Sequence, residues 1–318
     1  MIKSTIAFSL VQNAVAFTIL VGVLYLATPA ATLAQNVATP EAATEKVKPE
    51  PVKFYIEKHG AIVYEQEETY RVKCDIYQPV ADKNGDQLIA ADQLMPAVVM
   101  IHGGAWRTGS KIAMLRHARR MARVGYVVMA INYRLAPKYP WPAQIEDCRA
   151  ALKWMHSHAG EYNIDTGRVG VYGYSAGAHL AAMLAATNEK NGPIRIRAAV
   201  VGGTPAEFSW IDADSNALKY WLGATRGRGE DVYRNASPIS FVTPDDPPLF
   251  AFHGKTDMIV PIESIRRFHA ELEKQNVSSK LVEVANSGHM ATFSNIDLMA
   301  DAITFFDQHL KSPTTASK

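Results

Sequence analysis

The sequence predicts an α/β fold: a mostly parallel, doubly wound sheet with one long helical or irregular insert. Three observations carry this expectation. Short, continuously apolar runs recur (Ala97–Ile101, Tyr126–Ile131, Val169–Tyr172, Ile196–Val201, Leu249–Phe252), as in strands covered on both faces. Stretches of helical period lie between them. The order is strand, helix, strand, helix, the pattern of a sheet wound with helices.

Taken from the N-terminus, the elements begin with a segment set apart from the rest. Residues 1–34 contain one charged side chain, Lys3, and no acid. The apolar run Ala14–Ala27 is followed by Thr28-Pro29 and a small-residue stretch ending at Ala34. A basic start, an apolar stretch and small residues read as a secretory signal peptide, with Thr32 and Ala34 at the cleavage positions. The competing reading is an uncleaved membrane anchor over residues 6–27. Gln12 and Asn13 interrupt that segment, and a spanning helix wants about 20 apolar residues, so cleavage is preferred. No cysteine follows the run, so nothing supports a lipid-anchored form. The expected location is secreted or periplasmic.

Residues 35–52 carry Pro40, Pro49 and Pro51 among Ala, Thr, Glu and Lys, with almost nothing bulky and apolar. Such a stretch buries too little surface to offset its ordering entropy, and reads as a flexible linker. Residues 53–318 remain for a single folded domain with a large core.

That domain opens on an alternating stretch, Thr69–Tyr77, with Tyr70, Val72, Cys74 and Ile76 on one face and Arg71, Lys73 and Asp75 on the other. This is a half-buried strand. Ala61–Tyr64 is its expected antiparallel partner. Asn84-Gly85 signals a turn before the first fully apolar run. Helices are expected over Ile112–Val124, Pro142–His158, Ala176–Ala186, Pro261–Lys274 and Ile296–Leu310. In the second, Ile145, Cys148, Leu152 and Met155 form an apolar stripe with Glu146, Asp147, Arg149 and Lys153 off it. A last, more amphipathic strand is expected at Leu281–Val284.

Composition excludes several classes. Hydrophobic residues are 48% and charged residues 20%, which argues against wholesale disorder and against a multi-span membrane protein. The net charge of +2 is too balanced for a dedicated nucleic-acid binder. Two cysteines cannot build a disulfide framework or a four-cysteine zinc site. Cys74 and Cys148 both fall on expected core faces, where small buried thiols are at home; sequence does not say whether they pair.

The chemistry lies in the loops after the strands. Gly173-Tyr174-Ser175-Ala176-Gly177 is a G-x-S-x-G between an expected strand and an Ala-rich helix. A serine on such a turn projects its hydroxyl above the sheet. The glycines two residues either side allow the close backbone approach, and the helix N-terminus adds a positive dipole. His102-Gly103-Gly104-Ala105-Trp106 directly follows another strand. Its glycines leave backbone amides open to hold an oxyanion, with each donor worth roughly 3–4 kcal/mol. His102 itself reads as a structural residue bonding the loop.

A nucleophilic serine needs a base, and the base needs an orienting acid. Ten histidines compete. His289, in Asn286-Ser287-Gly288-His289-Met290, sits in a loop after the last strand. Asp257, in His253-Gly254-Lys255-Thr256-Asp257, follows the strand before it. Both lie at C-terminal strand ends, where open α/β sheets bind ligands. Asp245 and Asp246 precede a strand, and Asp212, Asp214 and Asp231 lie in an irregular insert, so all are worse placed. His179 falls one helical turn beyond Ser175 and reads as packed structure.

On these motifs, with Asn132–Pro137 and Pro142–Asp147, the chain resembles the α/β-hydrolase esterases with an H-G-G-x-W loop. That group includes hormone-sensitive-lipase-like carboxylesterases and feruloyl- and acetyl-xylan-esterase-like proteins. The resemblance covers about residues 61–310. It implies Ser175 as nucleophile, His289 as base and then acid, and Asp257 as orienting carboxylate. It implies an oxyanion hole from the amides of Gly104, Ala105 and Ala176. Ala105 stands where lipase-like relatives often have a third glycine, which leaves the donor register open by one residue. Asn132 stands where many have Asp, which leans toward the feruloyl and acetyl esterases. Asn132–Pro137 is expected to brace the site.

The segment 204–247 is long for a connection and carries Phe208, Trp210, Tyr220, Trp221, Tyr233 and Phe241. Long loops of this kind often cover a site, and a cap is the expectation. The alternative is an insert whose aromatics pack on the sheet edge. Arg226, Arg228 and Arg234 read as a solvated basic face, with an anionic substrate as the alternative. The expected function is a serine hydrolase cleaving short-chain or carbohydrate-linked (acetyl or feruloyl) esters through an acyl-enzyme, with no metal and no cofactor. Its partners would be a small-molecule or polysaccharide-linked ester and no nucleic acid, with a membrane only if the N-terminal segment is retained. A peptidase or amide hydrolase on the same triad and a non-catalytic binding protein are the alternatives.

Overall fold

The computed structural model of the chain describes residues 54–82, 89, 93–188 and 192–311. The expected signal peptide, linker and Asn84-Gly85 turn lie outside them. Eight strands form one sheet: β1 (Phe54–Glu67), β2 (Tyr70–Asp82), β3 (Met95–Ile101), β4 (Val127–Ile131), β5 (Ile164–Tyr174), β6 (Ile196–Gly202), β7 (Leu249–Gly254) and β8 (Ser279–Val284). Their order is β1-β2-β4-β3-β5-β6-β7-β8. β1 pairs antiparallel with β2, and β2 antiparallel with β4. Every pairing from β4 through β3 to β8 is parallel. This is the α/β-hydrolase fold.

The helices are α1 (Leu115–Ala122), α2 (Ala143–Ser157), α3 (Ala176–Ala186), α4 (Lys219–Leu222), α5 (Glu230–Asn235), α6 (Ile262–Lys274), α7 (His289–Ser294) and α8 (Ile296–Phe306). The two-residue period of β3 divides the core. Ala97, Val99 and Ile101 pack on one face with Ile145 and Cys148 of α2, Leu180 of α3 and Phe268 of α6. Val98 and Met100 pack on the other with Met121 of α1 and with Leu298 and Phe306 of α8. Helix α3 touches β3, β5, β6 and α2, and all its residues are buried. That is why its sequence is apolar all round.

Three expectations are corrected. Asp75, on the polar face of the alternating stretch, is buried. Lys58 and Lys111 reach its carboxylate at 2.9 and 3.0 Å, and the Ala61 amide donates to it at 2.9 Å. The helix expected over Ile112–Val124 is split into a 3-10 turn at Lys111–Met114, capped by Ser110, and α1. His289 does not sit in a loop but opens the short helix α7. Cys74 and Cys148 are both buried, in keeping with their places on the expected core faces, and the pairing question left open by the sequence is answered: neither forms a disulfide.

The segment 204–247 folds into α4, α5 and short 3-10 turns. Phe208, Trp221 and Tyr233 belong to the core on the α2–α3 face, while Trp210, Tyr220 and Phe241 are only partly buried against it. Arg226 donates to the Ile211 carbonyl at 2.7 Å, and Arg234 pairs with Asp231. Those two guanidiniums therefore hold the insert to itself.

Candidate active site

β5 ends at Tyr174 and α3 begins at Ala176, so Ser175 alone makes the turn. Its backbone sits at φ 55°, ψ −124°, a strained conformation for a residue with a Cβ. The turn is held by the Ser175 amide donating to the Gly202 carbonyl at 2.8 Å. The flanking glycines are required by space. A Cβ on Gly173 would lie 2.2 Å from the Gly177 carbonyl oxygen, and one on Gly177 would lie 2.1 Å from that of Ile101. Ser175 is partly exposed, and its hydroxyl has no hydrogen-bond partner among the described residues.

Asp257 and His289 come together across the loops after β7 and β8. His289 Nδ1 donates to Asp257 Oδ2 at 2.6 Å. The amides of Ile259 and Val260 donate to Oδ1 of the same carboxylate at 2.8 and 3.0 Å. Burial alone would raise the Asp257 pKa. The hydrogen bonds from His289 and from the two amides reverse that and hold the carboxyl below its ordinary range. An anionic Asp257 fixes the Nδ1–H tautomer of His289 and leaves Nε2 free to accept a proton. Gly203 brings the histidine and the serine turn to one place: a Cβ there would lie 3.0 Å from His289 Cε1 and 2.9 Å from Tyr174 Cζ.

Two neighbours of the pair carry no local sequence signal of their role. His253 is wholly buried. Its Nε2 lies 2.9 Å from the Val260 carbonyl and 3.4 Å from Asp257 Oδ2. Burial pushes its pKa down, against the opposing pull of the Val260 carbonyl, so the ring is neutral with the proton on Nε2. It gives the loop of Asp257 a donor without a competing full charge. Tyr174 donates its hydroxyl to the His289 carbonyl and fixes the start of α7.

The glycine-rich loop lies against the serine. A Cβ on Gly103 would stand 3.1 Å from Ser175 Cβ. Gly104, Ala105 and Trp106 follow with φ of 121°, 50° and 57°. The Gly104 carbonyl accepts from Arg107 and Thr108, while the amides of Gly104 and Ala105 donate to no backbone carbonyl among the described residues. The Ala176 amide is at the N-terminus of α3, where helical amides lack partners. These three amides were singled out in the sequence, and here they are open donors beside the serine turn.

The loop is clamped by the insert. Trp106 stacks on Trp221 with ring centroids 3.6 Å apart and planes 4° apart. Trp221 Nε1 donates to Gln144 Oε1 at 3.0 Å, and the Tyr220 hydroxyl donates to the Ala105 carbonyl at 2.7 Å. Trp106 Nε1 donates to His179 Nδ1 at 3.2 Å, and His179 Nε2 donates to the Ala236 carbonyl at 2.6 Å. His179 is therefore a buried strut, its pKa pushed down to about 4 by burial. His102 has the same character: buried, pushed down to about 4, stacked on Tyr133 and donating to the Gly103 carbonyl. Asn132 braces the loop from behind, its Oδ1 accepting from the Lys111 amide at 2.7 Å. Arg134 is held by Asp147 through its amide and Nε, at 2.6 and 2.8 Å.

The rim is apolar. Met258, next to Asp257, and Met290, next to His289, are both largely exposed.

The family model BD-FAE matches residues 75–272. Among curated relatives, the probable carboxylic ester hydrolase LipM of Mycobacterium tuberculosis is 30% identical over 56% of this chain and 45% of its own length. Esterase LipC of the same organism is 31% identical over 61% of this chain and 52% of its own. The chain thus spans about half the length of the curated relatives it matches. Among solved structures, a truncated carbohydrate esterase from gut microbiota superposes with a TM-score of 0.66 at 23% identity, covering 81% of this chain and 97% of that one.

Proposed function

The chain belongs to the BD-FAE family, and from that premise we propose that it is a serine hydrolase that cleaves carboxylic esters through an acyl-enzyme. The observation that carries the reading is the 2.6 Å hydrogen bond between His289 and the buried Asp257, formed beside the strained turn that presents Ser175. In the proposed reaction Ser175 Oγ attacks the ester carbonyl carbon as its proton passes to His289 Nε2. The carbonyl electron pair moves to oxygen, where the amides of Gly104, Ala105 and Ala176 receive the charge. The carbon–oxygen bond to the alcohol then breaks, and His289 returns the proton to the leaving oxygen. Water repeats the sequence on the acyl-enzyme, giving the carboxylic acid and free Ser175.

We further propose a short-chain or carbohydrate-linked ester, acetyl or feruloyl, as substrate. The ester-hydrolase names of LipM and LipC support the reaction class, and the carbohydrate esterase neighbour suggests the polysaccharide side. The aromatic insert would serve as a cover over the loop it clamps. Export behind a cleaved segment ending at Ala34 belongs to the same proposal, and N-terminal sequencing of the mature protein tests it.

The activity test is hydrolysis of p-nitrophenyl acetate, butyrate and octanoate, with methyl ferulate and acetylated xylan beside them. The expected result is a preference for short acyl chains in the wild type and loss of turnover in Ser175→Ala. Equal rates in the two proteins would sink the serine mechanism. Release of acetate from simple esters but none from xylan would sink the polysaccharide assignment.

A further inference from the structure

A groove of about 350 Å³ runs between α1 on one side and the end of α7 and start of α8 on the other. Its α1 wall carries Arg116, Arg119 and Arg120, with Arg123 at the C-terminal cap of the helix. The spacing i, i+3, i+4, i+7 places all four on one helical face. No acidic residue lines the groove. Among the described residues, none of the four guanidiniums has an ion-pair or side-chain hydrogen-bond partner. Like charges at these spacings repel one another along a helix. The helix dipole excuses the arginines near the last turn but not Arg116, in the first turn of α1, where the dipole opposes it.

The opposite wall is the start of α8, where the Asn295 side chain accepts from the Asp297 and Leu298 amides and Asp297 stands in the first turn. Ser294, Asn295 and Ile296 bring the N-terminus of α8 to the groove. Phe293 connects this wall to the candidate active site. Its ring stacks on His117 at 4.7 Å and lies 4.8 Å from Tyr174, which holds the His289 carbonyl. The groove and His289 therefore flank the same short helix.

From Arg116 to Arg123 the positive face extends about 10 Å along the axis. One small anion cannot span that length, and the charges line a concavity rather than a convex ridge suited to a flat headgroup plane. Guanidiniums match carboxylates as planar, forked partners. We propose that this groove binds an acidic polysaccharide, a sugar chain bearing repeated carboxylates, and holds it beside the ester-cleaving site. The inference rests on the polysaccharide-ester reading above and deepens it from neutral to carboxylated chains.

The test is binding of the full chain to immobilised oligogalacturonate by surface plasmon resonance, with neutral xylo-oligosaccharide as control. Three proteins are compared: wild type, a variant with Arg116→Gln, Arg119→Gln, Arg120→Gln and Arg123→Gln, and a variant with the same four arginines replaced by Lys. The wild type should bind oligogalacturonate, more weakly as salt is raised, and should ignore the neutral chain. The Gln variant should lose at least about tenfold in affinity, and the Lys variant should recover part of it. Hydrolysis of p-nitrophenyl acetate should stay unchanged in both variants, which also shows that they fold. Equal binding by wild type and Gln variant would overturn the proposal. So would failure to bind oligogalacturonate while phosphatidylglycerol vesicles bind through the same arginines, the outcome for a membrane surface. The readouts are separable: binding without turnover of any ester would refute the esterase reading, and turnover without binding would refute the groove.

Discussion

Trp221 joins the insert to the glycine-rich loop, so its removal should cost both stability and rate. The side chain is wholly buried. It stacks on Trp106, meets Trp141, Phe208 and His179 edge-on, and donates to Gln144. Truncation of a buried Trp to Ala costs about 3–5 kcal/mol in lost transfer and cavity. Leaving Gln144 Oε1 without its donor costs about 1–3 kcal/mol more. Together these reach roughly 4–8 kcal/mol, a large part of the about 5–15 kcal/mol that holds a typical domain folded. Trp221→Ala should therefore be largely unfolded or close to it. Trp221→Phe keeps a ring against Trp106 but loses the indole N–H and some volume, and should cost about 1–3 kcal/mol. Because Ala105 and Trp106 hold left-handed backbone at the donor loop, loosening the stack should also lower kcat by about tenfold or more. Urea unfolding followed by far-UV circular dichroism measures the first effect, and p-nitrophenyl acetate kinetics on the folded Phe variant measures the second. A Trp221→Ala protein with wild-type midpoint and wild-type kcat would refute the claim that this stack holds the loop.

Other consequences follow from pH and from the backbone near His289. His102 and His179 are buried and neutral, each with a pKa near 4, whereas an unfolded histidine takes its proton near about 6.5. Between those values the unfolded chain binds more protons, so stability falls as pH falls, by on the order of 3 kcal/mol per histidine at about pH 4. Urea midpoints should decline steadily below about pH 6.5, and a midpoint flat until carboxylates titrate near about pH 4 would contradict it. Gly203→Ala should impair activity more than folding. Its backbone is left-handed at φ 57°, and its new methyl would press on His289 Cε1 and Tyr174; a variant with wild-type kcat/KM would show that His289 has room to spare.

The parallel sheet was readable because its strands are covered on both faces, so each is a continuous apolar run. Helix α3 was readable to the residue, since Ser175 and Thr187 bound an uninterrupted Ala-rich stretch. Features set by distant partners were not. Asp75 looks solvent-facing by alternation, and only Lys58 and Lys111, brought to it by the fold, explain its burial. Helix α7 is too short to show a period. The insert has helices of 4 and 6 residues, and Trp221 rather than any local pattern fixes where it sits. At the candidate site, Ser175, Asp257 and His289 could be picked from motifs because each follows a strand. The neutral His253 behind Asp257 could not, although it stands in the same His253-Gly254-Lys255-Thr256-Asp257 motif. Nothing local says that its ring turns toward that carboxylate. The arginine face of α1 was not singled out in the sequence; the groove it lines, and its lack of carboxylate partners among the described residues, came from the fold.

The most direct test of the central claim is covalent labelling with a fluorophosphonate ester, followed by intact mass and peptide mapping. The account predicts one adduct per chain, on Ser175, formed with loss of fluoride and with matching loss of ester hydrolysis. It predicts much slower labelling in His289→Ala and none at that peptide in Ser175→Ala. Labelling of another residue with loss of activity, or full ester hydrolysis by Ser175→Ala, would contradict it.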